Sequence, residues 1–168
     1  MIIFVVVALS GCTDFQLNTF NGNYFSFKYL DEWESKAITN NESTVNVIPK
    51  NELGENSKSV VTFKFLGSFE LTPEKITELF DPYRETEDSK IDKNFKMIEN
   101  RTITVDGFNA YDYVLQDSST DEKKIEEHEL ILLEKNNNVY EMHLNSTPED
   151  FFRIQGIFLD MVASFKTV

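Results

Sequence analysis

Between Phe95 and Asn145 the chain runs as strand-length segments separated by turn residues, and this stretch restricts the fold more than any other. Phe95–Asp106 and Phe108–Gln116 flank Asp106-Gly107, a pair able to take the positive φ values of a tight hairpin turn. In the second segment Tyr111, Tyr113 and Leu115 share one face. Lys123–Glu134 turns apolar on both faces at Leu130-Ile131-Leu132-Leu133, so it belongs centrally in a sheet covered on both sides. Asn136-Asn137-Asn138 reverses the chain into Val139–Asn145, where Tyr140, Met142 and Leu144 oppose Glu141, His143 and Asn145. Consecutive hairpins of this kind imply a mostly antiparallel sheet.

Upstream, Asn23–Leu30 has period two, with Phe25, Phe27 and Tyr29 on one side. Asp31–Asn41 is polar around one large apolar anchor, Trp33. Thr44–Ile48 is a short strand ended by Pro49, Lys50–Lys58 a turn, and Val61, Phe63 and Phe65 mark a further strand. The period then changes. Thr72-Pro73-Glu74 is a helix start, and Ile76, Leu79, Phe80 and Tyr83 form one stripe that Pro82 kinks or ends. A second helix opens at Thr147-Pro148-Glu149-Asp150, with Phe151, Ile154, Phe158, Met161 or Val162, and Phe165 as its stripe. Both stripes need a sheet face to cover them. With 168 residues, fifteen of them Phe, the chain fills one α+β domain, expected over residues 23–168.

Residues 1–9, MIIFVVVAL, are an unbroken apolar run about 13 Å long as a helix, too short for a bilayer core of about 30 Å. Such a run before small residues has the pattern of a secretory leader. Leu9-Ser10-Gly11-Cys12 resembles the lipobox of bacterial lipoproteins, which implies cleavage before Cys12 and a thioether lipid on it. The expectation is a signal peptide over 1–11, a tether over 12–22, and a protein anchored by its lipid at the extracytoplasmic face of the cell membrane.

The net charge is −13, from 29 acidic and 16 basic residues, and no basic stripe offsets it locally. Such a chain repels nucleic-acid phosphates, so no nucleic-acid partner is expected. Cys12 is the only cysteine, which excludes an internal disulfide and a cysteine metal site. No Gly-x-Ser-x-Gly elbow and no glycine-rich phosphate loop occurs. The histidines, His128 and His143, lack metal-ligand spacing, so neither metal nor cofactor is expected. Asp117-Ser118-Ser119-Thr120-Asp121-Glu122 lacks the glycine of a calcium loop and reads as a hairpin turn. Asn41, Asn100 and Asn145 each begin an Asn-x-Ser/Thr acceptor pattern.

The order of parts resembles the PsbP-like superfamily. The carriers are the opening strand Asn23-Tyr24-Phe25-Ser26-Phe27-Lys28-Tyr29, the tryptophan turn Asp31-Glu32-Trp33, the helix at Pro73–Tyr83 before the hairpin strands, and the closing Ala163-Ser164-Phe165. The resemblance spans about residues 20–168. It implies a mostly antiparallel sheet of about six or seven strands sandwiched by helices. The superfamily includes the extrinsic subunit of photosystem II and many small prokaryotic lipoproteins, so it transfers fold better than function.

Two functional readings follow. The first is a non-catalytic binding or accessory module, not an enzyme, that serves a membrane protein complex or holds a small apolar ligand. The alternative is an envelope enzyme, a glycosidase-like hydrolase, whose carboxylates and histidine converge in the fold, with Glu127, His128 and His143 as the example.

Overall fold

The computed structural model describes residues 16–52, 58–80, 95–117 and 126–168. Their elements run in the order β1 (Leu17–Asn21), β2 (Phe25–Leu30), β3 (Trp33–Ala37), β4 (Thr44–Pro49), β5 (Ser59–Ser68), α1 (Pro73–Phe80), β6 (Phe95–Val105), β7 (Phe108–Asp117), β8 (Glu127–Lys135), β9 (Asn138–Ser146), α2 (Pro148–Ser164) and β10 (Lys166–Thr167). Seven strands form one sheet in the order β3-β4-β5-β9-β8-β7-β6, with every neighbouring pair antiparallel. A second, three-stranded sheet has the order β1-β2-β10.

The hairpins close where turn chemistry allows. Asp106 and Gly107 take φ of 49° and 82°, and Asn136 and Asn137 take 54° and 61°. These are the left-handed values that Gly, Asn and Asp tolerate at tight turns. The apolar segment on β8 lies inside the sheet, and every residue from Glu127 to Leu133 is buried.

One face of the large sheet carries α2, whose buried residues are Phe151, Ile154, Phe158, Met161 and Val162. The small sheet packs on the same side through aromatic contacts: Phe27 stacks on Phe63 at 4.0 Å, and Phe25 and Phe63 both meet Phe165. The opposite face is covered by α1, where Phe80 meets Tyr113 edge-on at 4.7 Å among Leu71, Leu115, Leu130 and Leu132. Helices therefore lie on both faces, as the sequence pattern requires. Among the described residues no helix is long and apolar enough to cross a membrane.

Three expectations change. The tether expected over 12–22 is ordered in its second half, because Leu17–Asn21 pairs with β2 and Phe20 stacks on Phe27 at 5.3 Å. The strand of Phe25 and Phe27 does not join the large sheet. Its aromatic face packs onto β5 and α2 while its edges bond β1 and β10. The polar segment after Asp31 contains β3, an edge strand with buried Trp33 opposite Pro49. Residues 1–15, the helix stripe beyond Phe80, and the middle of the turns after Lys50 and Asp117 lie outside the described residues.

The turn residue Asp106 also fastens the end of the chain. Its carboxylate accepts hydrogen bonds from Lys135 Nζ (2.6 Å), Lys166 Nζ (2.9 Å), and the amide and hydroxyl of Thr167 (3.1 and 3.2 Å). Partial burial alone would raise its pKa. The hydrogen bonds from Lys135, Lys166 and Thr167 outweigh burial and hold it well below the usual carboxylate range. A depressed folded pKa contributes stability above the unfolded value, near 4, that is lost as pH falls through the folded one. Asp106→Asn keeps the turn geometry and removes the charge. It is expected to cost about 2 kcal/mol at neutral pH, with the difference from wild type shrinking below pH 4 in urea titrations.

Candidate functional site

Among the described residues, three places gather chemistry. The first is a cleft of about 540 Å³ where the Asp31-Glu32-Trp33 turn, the end of β4 at Pro49, and Arg153 and Ile157 of α2 meet. The Lys50 amide donates to the Glu32 carbonyl at 2.9 Å and closes one wall. Arg153 is held by Asp150 at 2.8 Å. The cleft thus presents both charge signs, from Asp31, Glu32, Lys50 and Arg153, around an apolar backing of Trp33 and Ile157. Phe152, next along α2, is 80 % exposed.

The second place is on the face of the large sheet that α1 covers. The β8–β9 register sets His128 opposite Asn145 and His143 opposite Leu130, so the two imidazoles are diagonal neighbours. His128 Nδ1 and His143 Nε2 are 2.9 Å apart and the rings stack at 18°. Burial, reinforced by nearby Lys64, pushes His143 down to about 4, so it is neutral at physiological pH. One ring donates to the other. Glu126 lies beside the pair, 3.6 Å from His128 Nε2.

Glu127 does not join them. Consecutive strand residues point to opposite faces, so Glu127 lies on the α2 side, where Gln116 donates to it at 3.1 Å. The trio Glu127, His128 and His143 is therefore split by the sheet. Among the described residues no group of three or more His, Cys, Asp and Glu is placed to hold a metal.

The third place was not singled out in the sequence. On the α2 side of β6, β7 and β8, Arg101 reaches three carboxylates at once. Its Nε donates to Asp112 Oδ2 at 2.6 Å, one terminal nitrogen to Glu99 Oε1 at 3.0 Å, and the other to Glu129 Oε1 at 3.1 Å. Asp112 and Glu129 are both 0 % exposed. Burial pushes Asp112 up despite Arg101. Burial, then the charge of Asp112, pushes Glu129 up to about 8. Asp112 lies between Ala110 and Val114, and Glu129 precedes Ile131 and Leu133, all core positions of the same face. An acid in register with core residues was the available signal.

Cys12 lies outside the described residues. Of the three acceptor asparagines, Asn41 is exposed in the turn before β4, Asn100 is exposed on the edge strand β6, and Asn145 is partly buried beside Glu126.

No protein-family model matches the chain, and no curated protein matches it in sequence. Solved structures do match over nearly its whole length. Cyanobacterial PsbP (CyanoP) from Synechocystis sp. PCC 6803 superposes with a TM-score of 0.65 at 11% identity, covering 97% of this chain and 99% of that one. The Ran-binding protein Mog1p of Saccharomyces cerevisiae gives 0.61 at 7% identity, covering 92% and 96%. LpqN, involved in cell envelope biogenesis of Mycobacterium tuberculosis, gives 0.52 at 12% identity, covering 92% of each chain. The chain has the PsbP-like fold. At these identities the likeness speaks for the fold and leaves function to the residues.

Proposed function

We propose that the chain is a non-catalytic accessory module of the cell envelope, tethered by a lipid on Cys12 at the outer face of the membrane. The observation that carries this reading is the apolar run ending in Leu9-Ser10-Gly11-Cys12, a short distance before β1 of a PsbP-like domain. The likeness to LpqN, an envelope protein by its description, supports the same compartment. The groups that chemistry would need are occupied with one another. The buried carboxylates are gripped by Arg101, and the two histidines bond each other. The cleft at Trp33 is the face on which a partner protein or small apolar ligand would rest.

Cys12→Ser is expected to abolish labelling with a lipid precursor and to shift the protein out of the mature membrane-anchored form. Mass spectrometry of wild type should find the lipid on Cys12. Unmodified Cys12 at the mature N-terminus would sink the anchor. Glycoside turnover by the purified chain that Glu129→Gln abolishes would sink the non-catalytic reading.

A further inference from the structure

Asp112 and Glu129 carry opposed signals about their charge. Both are fully buried, yet Arg101 satisfies only Asp112 Oδ2 and Glu129 Oε1. The other oxygens, Asp112 Oδ1 and Glu129 Oε2, have no hydrogen-bond donor among the described residues. The two acids are diagonal neighbours on one face of β7 and β8, since Asp112 pairs with Ile131 and Val114 with Glu129, and one guanidinium bonds both. Two ionised carboxylates in that position are acceptors only, and would leave two lone-pair groups dry and a repulsion uncompensated. One proton between them removes both costs.

We propose that Asp112 and Glu129 form a buried proton-binding site, in which one proton is held between Asp112 Oδ1 and Glu129 Oε2 while Arg101 balances the remaining negative charge. The proton resides on Glu129, which then donates to ionised Asp112. Every element around the pair fits this count. β6 contributes the Arg101 cation and Glu99, which takes a separate branch of the guanidinium. From α2 the facing group is the uncharged Gln155, whose amide works against the upward push of burial on Glu129 without outweighing it, and on β9 the residue paired with Glu129 is Leu144. A second negative charge would have no cation of its own. Because α2 closes over this layer, the proton is part of what seats the helix on the sheet, and alkaline pH acts on that joint. The same balance explains why the site offers a substrate nothing: its reactive oxygens are covered and already paired.

Glu129→Gln mimics the protonated acid, since its amide donates to Asp112. A folded pKa near 8 against 4.5 unfolded gives stability that is full below about pH 4.5 and lost as pH rises through 8. Unfolding of the full chain and of Glu129→Gln, compared from pH 5 to pH 9, should therefore diverge. The ratio of their unfolding constants is expected to move by up to about tenfold per pH unit between 4.5 and 8, with wild type losing ground. Parallel profiles would overturn the proposal. Carbon-13 titration of glutamate carboxyl groups should find one midpoint well above the usual range in wild type. That midpoint should fall in Asp112→Asn, which removes the neighbouring charge and supplies a donor. An unshifted midpoint in that variant would refute the sharing. Should Glu129→Gln fail to fold, Glu127→Gln and Glu141→Gln serve for assignment. The high midpoint must survive in both, and its disappearance from either assigns it elsewhere and overturns the proposal.

Discussion

Phe158→Ala is expected to lower stability by about 3–5 kcal/mol, the range for deleting a buried phenyl ring. Phe158 is 0 % exposed and lies midway along the buried stripe of α2, between Ile154 and Met161. The cavity would open in the layer shared by α2, the small sheet and the large sheet. Relaxation is restricted there, because the aromatic rings Phe25, Phe27, Phe63 and Phe165 already stack on one another at that interface. Phe152→Ala on the same helix is the matched control. Its ring is 80 % exposed, so the change should stay within about 0.5 kcal/mol. Guanidinium titrations of the two variants decide the matter. Equal effects would mean that α2 presents another face to the sheet.

The contrast between these two phenylalanines also shows what the sequence made legible. A 3.6-residue stripe separates Phe151, Ile154 and Phe158 from Phe152 without reference to any structure. Period two did the same for β7 and β9, and the Asp-Gly and Asn-Asn turns marked where the hairpins close. Illegible elements were those with no buried face of their own. β1 is mostly exposed and β10 has two residues, so neither leaves a periodic trace. Nor does alternation say which sheet a strand joins. Phe25 and Phe27 are inward-facing in either sheet, and only the backbone pairing of β2 with β1 and β10 assigns it to the small one. For the side-chain clusters, the parity of a strand already separates Glu127 from His128. The joining of Arg101, Asp112 and Glu129 depends on the strand order β6-β7-β8 and the register between them. That pairing is long-range information: the strand pattern can place Asp112 and Glu129 in register with core residues, but not beside each other or beside Arg101.

Arg101→Ala is the variant in which that long-range pairing becomes a measurable energy. The guanidinium is the cation for two acids that have no water to turn to. Removing one partner of a buried charge pair typically costs about 3–5 kcal/mol. Arg101 is itself 37% exposed, so solvent screens part of its attraction, and about 2–3 kcal/mol is expected at neutral pH. The loss should grow with pH. Without the cation both carboxyl groups are pushed further up, and a raised folded pKa gives stability that is lost as pH rises. At pH 5 the pair can bind protons in place of the cation, and the deficit should be small. Arg101→Lys is expected to fall between the two, because an ammonium cannot send separate planar branches to Asp112, Glu99 and Glu129. The combined change Arg101→Met, Asp112→Leu and Glu129→Leu removes all three polar partners from the layer and should recover most of the stability, since no buried charge is left uncompensated. Thermal unfolding of the four proteins at pH 5 and pH 8 separates these effects. A loss in Arg101→Ala that is the same at both pH values, and that the apolar triple variant fails to recover, would show that Arg101 contributes by packing its aliphatic stem and not by balancing charge.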